Sequence, residues 1–310
     1  MQNNTELITK VAYMYYIDNL PQSKIASLLN ISNSTVSRLL QTARDRGIVK
    51  IEIQTLNTRC YSLEKTLKDK FHIEDAIVVP SYSAKEENIL KVLGEAGMNY
   101  LKQNIEDGMT VALSMGKTLS EVANSLEVEE KVNCNVVPIT GGLGQVKSEL
   151  HSNDICRRIA DKFGGTAYPL YAPAIVANEE LKNAIIKDPM IQSVFEMGLN
   201  ADITVVGVGN VSDSTFIDLG IISKDEAKKM EQNGVIGDIG SWFFDHKGNI
   251  LDLDIHKRVV GPDFRKISEH SKVVLISGTN EKKEVINAAL KGDWVDVLIT
   301  CENVAQYLLE

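Results

Sequence analysis

Apolar positions along the first fifty residues repeat at helical spacing and break at turn-forming residues. Leu7, Ile8, Val11, Tyr15 and Ile17 mark one helix within 6–17, and Pro21 interrupts the pattern. Ile25, Ala26, Leu28 and Leu29 mark a second short helix; Val36, Leu39, Leu40 and Ala43 mark a third that stops at Gly47. Residues 48–53, Ile-Val-Lys-Ile-Glu-Ile, alternate like a strand. Leu56, Leu63, Leu67 and Phe71 then return to helical spacing, which predicts a helix over 56–71 whose apolar stripe packs on the rest of the chain or pairs with a second subunit. From Ala76 onward, β-rich runs at 76–80, 110–114, 135–139, 203–208, 273–276 and 295–300 alternate with helical stretches at 85–103, 117–126, 152–163, 178–187, 223–232, 282–291 and 302–309. That alternation predicts parallel strands joined by crossover helices, a large α/β domain with a mostly parallel sheet. The expected organisation is a DNA-binding domain over 1–55, a linker helix over 56–73 and the α/β domain over 74–310.

Two short helices joined by a three- or four-residue turn make a helix-turn-helix, whose packing needs can be checked place by place from Gln22. The fifth place, where the helices cross closely, holds the small Ala26. The ninth needs a left-handed backbone and holds Asn30, second only to Gly for that geometry. Ile25, Leu29, Ile31, Val36 and Leu39 fill the five places that must be apolar. Ser32 is placed to cap the second helix, so that Asn33, Ser34, Thr35, Ser37 and Arg38 form its exposed N-terminal face. In such motifs this face meets base edges in the major groove. Arg38 suits guanine and Asn33 adenine, while the three hydroxyls suit phosphates or base edges alike. Gln22, Ser23 and Lys24 open the first helix, where they can clamp the DNA backbone, and the strand at 48–53 completes a winged, otherwise all-α domain. The bland alternative is a helical hairpin with a solvated polar face, but no acid stands between Asn30 and Arg44 to repel phosphate.

Charge changes this picture only after it is divided. The whole chain carries −9 with a pI near 5.2, which argues against nucleic acid if the charge is evenly spread. Residues 1–53 instead hold six bases against four acids, and the remaining 257 hold 27 bases against 38 acids. Mean hydropathy is −0.09, no run of about 18 apolar residues suggests a membrane span, and the N-terminus lacks a secretory pattern. Cys60, Cys134, Cys156 and Cys301 form no C-x-x-C, so a reducing cytoplasm is the expected compartment. His246 and His256 show no metal-ligand spacing; neither metal nor cofactor is assigned.

Ligands of α/β domains sit at loops beyond the carboxyl ends of the strands. Three such loops are distinctive: Ser114-Met115-Gly116-Lys117-Thr118, Thr140-Gly141-Gly142-Leu143-Gly144 with Asn153 in the following helix, and Gly278-Thr279-Asn280-Glu281-Lys282-Lys283. Small residues let backbone N–H groups approach an anion, and Ser, Thr and Lys add donors. The P-loop spacing is absent, so ATP is not implied.

The helix-turn-helix, the S-x-G-x-T loop, the G-G turn and the G-V-G at 207–209 are followed by Val235–Ile239, by Trp242-Phe243-Phe244-Asp245, and by Ile286–Asp293 with Val297–Thr300. In this order they resemble the SorC family of bacterial sugar-responsive transcriptional regulators, including its deoxyribonucleoside-regulator branch, over about residues 5–310. The resemblance implies a winged helix-turn-helix fused to an effector domain similar to sugar-phosphate isomerases and deaminases. It further implies a phosphorylated sugar as effector, a homodimer or homotetramer, and palindromic or pseudo-palindromic operator DNA. By position it assigns effector binding to Ser114, Gly116, Thr118, Gly141, Gly142 and Asn153, sugar hydroxyls to Asp245, and phosphate or a sugar oxygen to Lys282. Lys117 stands where a small hydroxylated residue is common, so its ammonium is an added phosphate candidate. Some relatives carry a lysine just before the G-G turn, where an imine can form; Thr140 has no amine, so reversible noncovalent binding is expected. The expected function is a regulator, most simply a repressor, of a carbohydrate-utilisation operon. The rival is a sugar-phosphate isomerase or deaminase carrying a DNA-binding module, with Glu149, His151 and Asp245 as nearest acid–base candidates in no catalytic spacing.

Overall fold

Three helices, α1 (Gln2–Tyr16), α2 (Gln22–Leu29) and α3 (Asn33–Asp45), build the N-terminal part of the computed structural model, which describes residues 2–50, 60–81, 85–142, 144, 148–211, 217 and 222–310. The chain divides into two units, Met1–Asn57 and Thr58–Glu310. In the first, Asn30 ends α2 in the left-handed conformation (φ 54°, ψ 46°), and the Ile31 amide donates to the Ala26 carbonyl at 3.0 Å. The Ser32 hydroxyl accepts from the Thr35 amide at 3.1 Å and caps α3. Ile8, Val11 and Ala12 of α1, Ile25 and Ala26 of α2, and Val36, Leu40 and Ala43 of α3 are buried together as one core. Of the expected strand at 48–53, residues 48–50 adopt no regular structure and 51–53 lie outside the described residues.

The second unit is built on seven strands: β1 (Asp75–Val79), β2 (Thr110–Leu113), β3 (Asn135–Pro138), β4 (Thr166–Ala167), β5 (Ile203–Val206), β9 (Lys272–Ile276) and β10 (Val297–Cys301). They are ordered β1-β10-β9-β5-β2-β3-β4, with every neighbouring pair parallel. Central strands are buried on both faces, which is why they read as continuous apolar runs rather than as alternation. The crossovers include α5 (Glu86–Asn104), α6 (Lys117–Asn124), α7 (Ser152–Phe163), α8 (Glu179–Ile185) and α9 (Pro189–Leu199). Later come α10 (Lys224–Gln232), α11 (Phe264–His270), α12 (Lys283–Lys291) and α13 (Glu302–Leu309). The helix α4 (Tyr61–Phe71) lies on β1 and α13; Leu67 is wholly buried, and the Glu64 carboxylate accepts the Val78 amide at 2.9 Å. Its apolar stripe is therefore covered by its own chain, whereas residues 56–59 of the expected helix lie outside the described residues.

Strand order runs from β2 outward to β3 and β4 on one side, and from β5 to β9 and β10 on the other. The topological switch point, where a parallel sheet opens a crevice, therefore lies between the carboxyl ends of β2 and β5. A second sheet rises directly from this place. After Gly207 the chain leaves β5 and forms β6 (Val208–Asn210), which pairs antiparallel with β7 (Val235–Ile239), itself paired with β8 (Trp242–Asp245). Apolar continuity across 203–208 hides this exit, since Val206 and Val208 belong to different sheets.

Candidate functional site

At the switch point the Ser114 amide donates to the Val205 carbonyl at 3.0 Å, and the Ser114 hydroxyl accepts the Gly207 amide at 3.4 Å. Gly116 follows with φ +123°, a backbone that side chains rarely tolerate, and serves as N-cap of α6. It offers no side-chain cap, so the amides of the first turn and the positive end of the helix dipole stay available to an anion. Thr118 is buried in that turn. Lys117 is exposed and reaches the Glu86 carboxylate of α5 at 3.3 Å.

Lys282 stands at the head of α12, half-buried. Its ammonium has no hydrogen bond or ion pair among the described residues. Burial lowers its pKa, while the nearby carboxylates of Asp238 and Glu86 pull in the opposite direction. Asp238 lies on β7 opposite Gly209, and its carboxylate accepts the Ser241 amide at 3.2 Å. Burial pushes its carboxyl up to about 6, against the pull of the Ser241 amide and the Lys282 ammonium. The Asn210 amide donates to the Glu281 carbonyl at 2.8 Å and holds β6 to the turn ahead of α12. One mouth thus gathers an uncapped helix start, two lysines and a carboxylate. These are parts for holding a phosphate beside hydroxyl groups.

Asp238 lies within the Val235–Ile239 motif but was given no role from the sequence. Its signal was a carboxylate on the half-exposed side of a strand that alternates buried and half-buried positions. Because the folded protein holds this proton more tightly than an ordinary carboxylate of 3.8 does, the group's contribution to stability is complete below pH 4. It is lost as pH rises through about 6. Asp238→Asn is expected to stabilise the protein by about 1–2 kcal/mol at pH 7 and negligibly at pH 4. Urea unfolding at the two pH values checks this, and an equal effect at both contradicts it.

Several expected contacts are occupied by the fold itself. The Gly141 amide donates to the Val260 carbonyl at 3.2 Å and the Gly142 amide to the Ala172 carbonyl at 2.8 Å. Neither is free to bind an anion, and the Gly141 backbone lies so close to Ala172 and Pro173 that a Cβ there would collide. The Thr140 hydroxyl is buried with no partner among the described residues, and its carbonyl accepts the Ser152 hydroxyl at 3.0 Å. Asn153 closes a reciprocal pair with the Leu170 backbone, donating at 3.0 Å and accepting at 2.9 Å, so its amide fastens α7 to the segment after β4. Leu143 lies outside the described residues.

Asp245, expected to meet sugar hydroxyls, is engaged in a turn of its own chain. Its carboxylate accepts the Lys247 amide at 2.8 Å, the Asn249 amide at 2.9 Å and the Asn249 side chain at 3.0 Å. Burial raises its pKa, but these donors outweigh it and hold the carboxyl below the usual range. Gly248 of the same turn lies against Gly292 and Ala288, at the opposite end of α12 from Lys282. Nine helical residues separate the two ends, about 13 Å. Asp245→Ala is expected to lower stability by about 1–3 kcal/mol through the unpaired turn amides and to leave effector affinity within threefold; calorimetry on the refolded variant checks both. Of the other acid–base candidates, Glu149 gives its backbone carbonyl to Arg158, and His151 precedes α7 beside Gly142.

In the N-terminal unit, Ser23, Lys24, Asn33, Ser34, Ser37 and Arg38 are exposed, and Gln22 and Thr35 half-buried. The Ser34 and Thr35 hydroxyls both lie 2.8 Å from the Ser32 hydroxyl and belong to the cap. Asn33, Ser37 and Arg38 have no side-chain hydrogen bond among the described residues. The first turn of α3 contains no acid, so its dipole favours phosphate. Arg44, by contrast, is held by the Tyr16 hydroxyl at 3.3 Å and by Gln41 at 2.7 Å.

Residues 56–310 match the family described as "Putative sugar-binding domain". Over 305 residues the chain is 30% identical to the deoxyribonucleoside regulator of Bacillus subtilis (strain 168), covering 98% of this chain and 97% of that one. It is 27% identical over 317 residues to the sorbitol operon regulator of Klebsiella pneumoniae, covering 100% of both. The crystal structure of that full-length regulator, SorC, superposes with a TM-score of 0.78 at 27% identity over 99% of each chain. No helix among the described residues is long and apolar enough to cross a membrane. The chain belongs to the SorC family of sugar-responsive transcriptional regulators.

Proposed function

We propose that this regulator is a repressor of a carbohydrate-utilisation operon, with a winged helix-turn-helix that reads palindromic or pseudo-palindromic DNA. Its hold on the operator is set by a phosphorylated sugar bound noncovalently at the mouth between β2 and β5. The observation that carries the reading is Lys282: a half-buried ammonium without a partner among the described residues, facing Asp238 beside the uncapped start of α6. The phosphate takes the α6 amides, Lys282 and Lys117; a sugar hydroxyl donates to Asp238. The effector domain is of the sugar-phosphate isomerase and deaminase type, used for binding rather than turnover. Thr140 offers no amine for an imine. Names of relatives such as the sorbitol operon regulator and the erythritol catabolism regulatory protein EryD of Brucella abortus support a sugar-derived effector. Coupling requires the sugar phosphate to bind the DNA-competent and DNA-incompetent states of a homodimer or homotetramer with different affinity.

The test is an operator titration with sugar phosphates and their unphosphorylated parents, followed by fluorescence anisotropy. A shift in operator affinity from one phosphorylated sugar and not from its parent sustains the reading. Absence of DNA binding under every condition overturns it, and conversion of the bound sugar phosphate in phosphorus NMR establishes the enzyme instead.

A further inference from the structure

Outside the mouth, α8 carries a stripe that the fold leaves in water. Glu180, Asn183, Ala184 and Lys187 succeed one another at offsets of three, four and seven residues, and all four are exposed. The turn continues past the helix, since the Lys187 amide donates to the Ala184 carbonyl at 3.3 Å. Beside the stripe, and sharing Ala184 with it, lies a groove of about 870 Å³ lined chiefly by Tyr168, Tyr171, Pro173, Ile185, Met190 and Ile191. Tyr171 is 82% exposed and Met190 78%. The charged residue on its lining, Asp188, uses its carboxylate on the Met190 and Ile191 amides as the cap of α9. A groove of rings and a methionine with no free charge is the composition of a contact surface.

We propose that α8 and this groove form a two-fold interface between two copies of this chain. The stripe is self-complementary: an acid at one end, a base at the other, and two small side chains between them. A two-fold axis near Asn183 and Ala184 lays α8 antiparallel on its own copy. Each Glu180 then faces the partner's Lys187, and the small residues allow close approach of the helices. Tyr171 and Met190 are carried into the same junction from both sides. A second reason rests on the regulator reading: a chain with one DNA reader needs a second copy to address two half-sites.

Sedimentation velocity of the full chain across a concentration series tests the interface. Glu180→Lys is expected to weaken self-association at least tenfold, Lys187→Glu similarly, and the double exchange to return it to within threefold of the parent. Tyr171→Glu is expected to weaken it at least tenfold, with an unchanged melting temperature and unchanged binding of inorganic phosphate showing that the fold and mouth are intact. A parent chain that stays monomeric, variants that associate as the parent does, or a double exchange no better than either single one overturns the proposal. If the variants split a dimer that binds DNA in no state, the interface stands and the regulator reading alone fails.

Discussion

Lys282→Met is expected to lower affinity for the phosphorylated sugar at least about 100-fold while leaving the protein folded. The loss follows from the charge-assisted bonds that a phosphate makes to a half-buried ammonium, each about 1.5–3 kcal/mol. It is enlarged because Asp238, now without its neighbouring cation, faces the incoming anion alone. Stability is spared for a structural reason. The ammonium has no hydrogen bond or ion pair among the described residues that would be left broken, and methionine keeps the apolar stem. A second readout is independent of the ligand. Lys282 pulls the Asp238 carboxyl down, so its removal should raise the Asp238 titration above about 6. Calorimetry with the effector and carbon-detected NMR of Asp238 decide the matter. An affinity within threefold of the parent removes Lys282 from the effector site.

The other large effect is expected at Arg38. Replacement by alanine should weaken specific operator binding by about 1–3 kcal/mol, roughly 10- to 100-fold, and relax the preference at one base pair. Arg38 is exposed and makes no side-chain hydrogen bond among the described residues, while Val36 and Leu40 hold that stretch of α3 in the core. Effector affinity and melting temperature should not move. Anisotropy with operator and scrambled DNA separates the two origins of a loss. A drop confined to the operator identifies base reading; an equal drop on both, with a salt slope reduced by about one, identifies a phosphate contact. Unchanged affinity for both removes Arg38 from the DNA face.

The N-terminal unit was legible almost residue by residue because its determinants are local. Asn30 in the left-handed conformation, Ser32 capping Thr35 and Ala26 beneath the helix crossing each depend on neighbours within a few positions. The parallel strands were equally plain, since burial on both faces turns them into apolar runs. The small antiparallel sheet was not, because its first strand continues the apolar run of β5 across Gly207.

In the mouth, Ser114, Gly116 and Lys282 follow from a single rule, that loops at the carboxyl ends of parallel strands face the ligand. The G-G turn, Asn153 and Asp245 satisfy the same rule or the same family pattern and nevertheless serve the fold. Whether a polar group is free depends on what else lies within 3 Å, and nothing local states that. The partners of Gly141 and Asn153 are Val260 and Leu170, brought near only by packing of the second unit. Asp245 sits in a turn packed at the far end of α12 from Lys282, whereas Asp238 on β7 lies near enough to act on the Lys282 ammonium. By itself, then, the order of residues determined the family, the helices of the N-terminal unit and the parallel strands of the second, all of which rest on short-range periodicity and turn chemistry. Tertiary structure alone decided which polar groups there remain unpaired, because a donor's availability to a ligand is set by neighbours distant in the chain.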